Sequence, residues 1–167
     1  LRRFNKELRE RLFTDENGEE VIFALYGQPD WVVVMPVTPD GLVVVLKDFY
    51  QGVNKIITTL PGGNIEENEG ILQTAERELM EETGFKAGSI IELGCSISIS
   101  PRNSWTKYYC CLALNCQRPT EENGDSGNAE ISLVPIKDWI SMVHANIEDS
   151  CAVIATLRAL PFLELLM

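Results

Sequence analysis

The chain has 167 residues, 45% hydrophobic and 23% charged, which allows one domain with a substantial core and excludes wholesale disorder. Its 14 basic residues stand against 25 acidic ones, a net charge of -11. A surface that acidic argues against binding along a nucleic-acid polymer, which needs a basic footprint, but leaves open a nucleotide-sized anion whose charge a metal ion offsets.

Five cysteines, Cys95, Cys110, Cys111, Cys116 and Cys151, follow no metal-ligand or disulfide spacing. They read as structural thiols in a reducing, cytoplasmic compartment. A lone His144 excludes a histidine-rich metal site. No stretch reaches transmembrane length, so no membrane partner is expected, and Leu1–Lys6 lacks the apolar core of a signal peptide.

In chain order, Phe4, Leu8 and Leu12 recur every fourth residue and predict a short helix over residues 4–13. Asp15-Glu16-Asn17-Gly18 reads as a turn, Val21–Tyr26 as a strand and Gly27–Asp30 as another turn. Residues 1–30 thus form a strand/helix extension ahead of a main domain spanning 31–167. Trp31–Val37 and Leu42–Lys47 are β-favouring runs joined by Thr38-Pro39-Asp40-Gly41, a hairpin signal. Asp48–Thr59 shows no regular pattern and opens a long loop to residue 68; residues 117–129 form a second. Loops of that length inside a compact domain are often functional.

Helical periodicity begins near Asn68, with Leu72, Ala75 and Leu79 on one face and Gly84 as the stop. Ile90–Ile99 and Trp105–Leu114 read as strands on either side of Pro101. Glu130–Ile136 is a short strand, Lys137–Val143 a helix, and 148–166 a helix interrupted near Pro161. Strands that do not alternate regularly with helices indicate an α+β or sandwich arrangement rather than a doubly wound one.

The chemistry is concentrated in Arg77-Glu78-Leu79-Met80-Glu81-Glu82. At about 100° per helical residue, Glu78, Glu81 and Glu82 share one arc beside the apolar stripe. Like charges one turn apart destabilise a helix by a few tenths of a kcal/mol per pair. A hard divalent cation, which prefers oxygen ligands, turns that liability into a binding site. A solvated acidic face paired with Arg77 is the plain alternative. Just ahead, Gly62-Gly63 permits backbone conformations closed to other residues and can bring carbonyls or amides against a metal or phosphate.

Gly63, Glu69, Arg77, Glu78, Leu79, Glu81, Glu82, Gly84 and Phe85 resemble the Nudix box, G-x5-E-x7-R-E-U-x-E-E-x-G-U, at every fixed position. Phe85 fits the last apolar position loosely, and the similarity extends from about Trp31 to Ile140. The resemblance implies the Nudix fold, an α/β/α sandwich around a mixed sheet with a loop–helix–loop metal site. It implies Mg2+, with Mn2+ as a possible substitute. The implied ligands are Glu78, Glu82 and the Gly62 carbonyl, with Glu81 as a ligand or a water-positioning group. Glu69 and Arg77 would brace the loop, and Gly63 and Gly84 would shape it. The implied reaction is in-line attack of an activated water on a diphosphate, with no covalent nucleophile.

Pro101 lies 16 residues after Phe85, and Ser100-Pro101-Arg102-Asn103-Ser104 resembles a turn of the ADP-ribose pyrophosphatase subgroup, with Arg102 replacing a glycine. Asp48 and Gln51 depart from that subgroup's basic Gln-Tyr-Arg stretch, so Lys47, Lys55 or Arg102 would have to meet the phosphate or ribose instead. The expected substrate is ADP-ribose or an ADP-sugar, giving AMP and a sugar phosphate. Another dinucleotide, a CoA derivative, a nucleoside triphosphate or a non-catalytic binding module are the alternatives. An assisting acid is expected among Glu121, Glu122 and Glu130, with Asp125 a further candidate. Trp31, Trp105 and Tyr50 could stack on a base, as Phe49 could. The subgroup resemblance also implies an intertwined homodimer in which residues 1–30 supply the exchanged element.

Overall fold

β-Branched runs between Trp31 and Leu114 build the centre of the molecule. A computed structural model of the chain describes residues 2–3, 6–97, 101–119 and 129–163. Strands β1 (Arg2–Arg3), β2 (Lys6–Thr14) and β3 (Glu20–Gly27) form a small antiparallel sheet. Within the helix expected over residues 4–13, the described residues 6–13 are therefore strand. A four-residue spacing keeps Leu8 and Leu12 on one face of either element, and pairing from Glu7↔Gly27 to Thr14↔Glu20 decides for the strand. The turn at Asp15–Gly18 is held by the Asp15 carboxylate, which accepts the amides of Asn17 and Glu19.

The second sheet contains β4 (Trp31–Val37), β5 (Leu42–Tyr50), β6 (Lys55–Thr59), β7 (Gly62–Asn64), β8 (Ser89–Ile97), β9 (Lys107–Leu114) and β10 (Glu130–Pro135). Its order is β10-β5-β4-β9-β8, with β6 added to β5 and β7 to β4. The β4–β9 pair is parallel and the other pairs are antiparallel, so the sheet is mixed.

Alternation along the central strands sends side chains to two faces, and each face has its own helices. Helix α1 (Ile71–Thr83) buries Ala75 and Leu79 against Val32, Val34, Val44 and Cys111. Helices α2 (Ile136–Ala145) and α3 (Ser150–Leu163) bury Trp139, Ala152 and Ala155 against Val33, Met35, Val43 and Val45. This is the expected α+β arrangement, an α/β/α sandwich around a mixed sheet. Among the described residues no helix is long and apolar enough to cross a membrane.

Three local expectations change. The supposed loop over residues 48–68 is largely strand: β5 runs on to Tyr50 and β6 returns beside it, pairing Tyr50↔Lys55 to Leu46↔Thr59. Helix α1 begins at Ile71 rather than near Asn68, because Asn68 takes a positive φ of 69° and Gly70 is the extended N-cap. Leu72 is 46% exposed, whereas Thr74 takes an inward place next to Ala75. The stop at Gly84 is present, with φ 69° and its N–H donating to the Met80 carbonyl at 2.8 Å.

The β4–β5 hairpin positions the site. The two strands pair only at Val37↔Val43 and then diverge. Beyond that point β7 covers β4 through Val33↔Gly62 and Trp31↔Asn64, while β6 covers β5. A cleft opens in the fork.

Candidate active site

The cleft has a volume of about 200 Å3. Trp31 and Val33 line it from β4, Asp48 and Tyr50 from β5, Thr59 from β6, Gly62 from β7 and Glu82 from α1. Asp149, just ahead of α3, completes the wall.

The loop before α1 is fixed to the helix by one arginine. Arg77 Nε donates to Glu69 Oε1 at 2.9 Å and its Nη2 to Glu69 Oε2 at 2.9 Å, a bidentate pair. Nη2 also donates to the Asn64 carbonyl at 3.1 Å. The Glu69 carboxylate accepts further from the Thr74 hydroxyl and the Glu66 amide. Hydrogen bonds from Arg77 are the main reason its pKa falls to about 2. Close packing explains Gly63: a Cβ there would collide with the Glu78 carboxylate. A Cβ on Gly62 would collide with the Val32 carbonyl.

The carboxylates of Glu78, Glu81 and Glu82 do not meet at one point. Glu78 Oε1 accepts from Arg77 Nη1 at 2.7 Å and Glu81 Oε2 from the same nitrogen at 3.0 Å. Glu82 turns instead to the Gly62 amide, which donates to its Oε2 at 2.8 Å. Among the described residues, no three acidic, histidine or cysteine side chains converge as a metal-holding group. The expected loop–helix–loop metal cluster is therefore not assembled among the described residues: Arg77 draws Glu78 and Glu81 into ion pairs while Glu82 faces the Gly62 amide.

The electrostatics of these groups nevertheless suit a cation. Burial pushes Glu82 up to about 7, with added repulsion from Glu78, Asp48 and Glu81, against the opposing Gly62 hydrogen bond. Burial also raises Glu78, while Arg77 works against the rise. The donors are all oxygen, the kind that Mg2+ and Mn2+ take. Glu78, Glu82 and the Gly62 carbonyl fit a divalent ion by chemistry, and Glu81 is 59% exposed at its side chain beside its Arg77 ion pair.

The other expected residues are dispersed. Trp31 and Tyr50 line the cleft. The Trp31 ring lies tilted over Tyr108 at 5.4 Å, and its indole nitrogen is buried without a hydrogen-bond partner among the described residues. Lys47 and Glu130 face each other across β5 and β10 and form an exposed ion pair at 3.0 Å. Trp105 packs on Gly27 under the Arg9 guanidinium, 4.6 Å from the ring centre. Arg102 is exposed in the turn that Tyr26 and Gln28 tie to the N-terminal sheet, through Asn103 and Thr106. Neither Lys47, Arg102, Trp105 nor Glu130 lines the cleft. Glu121, Glu122 and Asp125 lie outside the described residues.

Two cleft residues escaped the sequence reading, Thr59 and Asp149. Thr59 Oγ1 donates to Asp149 Oδ2 at 2.5 Å, joining residues 90 apart in sequence. Asp149 followed by an apolar run signals a helix cap, and its Oδ1 does accept the Cys151 amide at 3.0 Å. No sequence signal aims that cap at a cleft.

Residues 28–150 match the NUDIX domain. The chain belongs to the Nudix family. It is 32% identical over 131 residues to an ADP-ribose pyrophosphatase of Bacillus subtilis (strain 168), covering 77% of this chain and 70% of that one. It is 29% identical over 126 residues to an ADP-sugar pyrophosphatase of Mus musculus, covering 70% of this chain but 57% of the mouse protein. A solved structure titled an ADP compounds hydrolase superposes with a TM-score of 0.83 at 18% identity, over 98% of this chain and 89% of the other, and so shares the fold. The activity of this Nudix protein is pyrophosphohydrolysis.

Proposed function

We propose that this Nudix protein hydrolyses ADP-ribose or a related ADP-sugar to AMP and a sugar phosphate, using Mg2+, with Mn2+ as a substitute. The observation that carries the reading is Glu82. It is a partly buried carboxylate with a raised pKa, it faces Gly62, and it shares one cleft with Trp31 and Tyr50. A diphosphate brings negative charge to a wall that already carries Asp48, Glu82 and Asp149, so a bound cation is needed. Glu78, Glu82 and the Gly62 carbonyl would hold that ion, and Glu81 would serve as a further ligand or orient water. When bound, the metal supplies charge neutralisation at the phosphoryl oxygens and a water acidified enough to attack.

The chain's own groups do the rest. Arg77 and Glu69 fix the loop so that the Gly62 carbonyl and the α1 carboxylates keep their spacing. Trp31 and Tyr50 offer rings to a base. One of Glu121 and Glu122 would assist as the loop acid, since Glu130 is on β10, paired with Lys47 outside the cleft. The names of the bacterial and murine relatives support an ADP-linked substrate over a nucleoside triphosphate or CoA derivative.

The test is incubation with ADP-ribose, ADP-glucose, ATP and CoA in Mg2+, with and without chelator, and identification of products. AMP from the ADP-sugars alone, lost with chelator, is the expected result. Hydrolysis of ATP or CoA in preference would replace the substrate assignment.

The same reading includes a homodimer formed through residues 1–30. The hairpin β2–β3 exposes Leu12, Phe13, Val21, Ile22 and Phe23, more apolar surface than a solvated hairpin requires. Light scattering should give a mass of two chains; a mass near 18.7 kDa removes the dimer.

A further inference from the structure

Trp31, Tyr50 and Asp149 line two hollows at once: the cleft already described and a larger neighbour of about 540 Å3. The two differ in character. The cleft holds Gly62, Glu82 and Asp48, the groups suited to a diphosphate and its cation. Beyond Trp31 and Tyr50 the neighbour adds Val53, Ile57 and Cys151 alongside the Lys55–Glu148 ion pair, which gives a flat base both apolar surface and polar partners. A nucleotide runs base, ribose, phosphate. With its phosphates at Gly62 and Glu82 and its base in the larger hollow toward Val53, Ile57 and Cys151, its ribose falls at the junction where Asp149 stands.

Asp149 is built for that place. Its Oδ1 is held by the Cys151 amide at the start of α3, and its Oδ2 by the Thr59 hydroxyl on β6. An ionised carboxylate has about four acceptor sites, so each oxygen keeps capacity for one more donor. A ribose 2′,3′-diol presents two hydroxyls, and charge-assisted O–H···O hydrogen bonds are among the strong ones. Tyr50 stands beside Thr59, and Asp149 is among the charges that act on it.

We infer that Asp149 reads the 2′,3′-diol of the substrate's nucleoside ribose and thereby fixes which end of the substrate enters the larger hollow. The inference rests on the nucleotide reading of the cleft. A cap alone would need one oxygen; the Thr59 bond fixes the second and locks the rotamer toward the junction.

The test compares kcat/KM for ADP-ribose and for its analogue carrying 2′,3′-dideoxyadenosine, in the parent and in Asp149→Asn. Asparagine caps a helix about as well as aspartate, so α3 should persist, as circular dichroism will check. The parent should prefer ADP-ribose by about 10- to 100-fold, and the variant should lose that preference to within about 2-fold. Equal falls on both substrates would reduce Asp149 to a cap and overturn the inference, as would an undiminished preference. A third substrate, an ADP alkyl ester without hydroxyls beyond the diphosphate, assigns the end. If Asp149→Asn erases discrimination against the ester rather than the dideoxy analogue, Asp149 faces the leaving group and the inference fails. Asp149→Ser, also a cap, repeats the series if the first variant is unstable. A parent that cleaves no ADP compound sinks the functional reading by itself. Calorimetric binding of AMP against 2′,3′-dideoxy-AMP, in parent and variant, then decides the Asp149 assignment: the same preference and its loss uphold it, and no preference overturns it.

Discussion

Glu69 and Glu82 stand 13 positions apart in one sequence box and meet opposite fates. Glu69 is enclosed by donors: two Arg77 nitrogens, the Thr74 hydroxyl and the Glu66 amide. Its carboxyl drops to about 2. Glu82 has one backbone donor and sits near Glu78, Asp48 and Glu81, and its carboxyl rises to about 7. The difference separates scaffold from chemistry. A carboxylate matched by the protein holds shape, whereas one the protein leaves under-compensated is available to a cation.

The sharpest way to break this contrast is Glu82→Gln. The amide oxygen can still accept the Gly62 N–H, so the loop should keep its form. Steady-state assays should show kcat reduced by about 1,000-fold, the scale seen when one preorganised electrostatic group is lost. Unchanged turnover would remove Glu82 from the metal site.

Glu69→Gln tests the other half. It takes the matched charge from Arg77 and should lower stability by about 1–3 kcal/mol, measured by denaturant unfolding. Activity should fall far less than in Glu82→Gln, because Glu78 and Glu81 still hold the guanidinium. A larger loss of turnover than of stability would place Glu69 in the chemistry instead.

The smallest effect is a pH slope, and its sign differs between the two residues. Glu69 is depressed from 4.5 to about 2, so its contribution is complete above about pH 4.5 and disappears as pH falls toward 2. Glu82 is raised from 4.5 to about 7, so the native state holds the extra proton between those values and stability falls as pH rises through that window. The Tm of the metal-free parent should therefore fall from pH 5 to 8. The slope should flatten in Glu82→Gln and, for the parent, in saturating Mg2+. A parent with no slope would show that Glu82 is not strained by its surroundings.

How much of this the sequence disclosed depends on how local the determinant is. The box was legible because its residues act within one loop and one helix, at fixed spacing. Trp31–Val37 and Leu42–Lys47 were legible because β-branched runs and an Asp-Gly turn agree. Residues 4–13 misled because a four-residue apolar spacing suits helix and strand alike, and the deciding partner, β3, lies elsewhere in the chain. Leu72 misled because periodicity ranks it with Ala75, whereas the hydroxyl of Thr74 is wanted inside by Glu69 and the Gly70 carbonyl. Helical angles place Glu78, Glu81 and Glu82 on one arc but cannot anticipate the Arg77 guanidinium that pairs with two of them. Asp149 was invisible as a site residue because the cleft joins positions 48, 59, 82 and 149 only through tertiary pairing.

The forked hairpin has a mechanical meaning. One wall of the cleft, β4, is stitched to β7, and the other, β5, to β6, while β6 and β7 are separated only by Leu60 and Pro61. The Pro61 carbonyl accepts the Val34 amide at 2.8 Å, so even that short link is fastened to β4. Each wall is thus stiffened by its own ladder, and the two walls are joined at Val37↔Val43 and through the short Leu60–Pro61 link. Walls stiffened in this way leave less to be ordered when a ligand enters, which lowers the ordering cost of binding. The device behaves less like a jaw than like a gauge, admitting whatever matches a width set when the sheet folded.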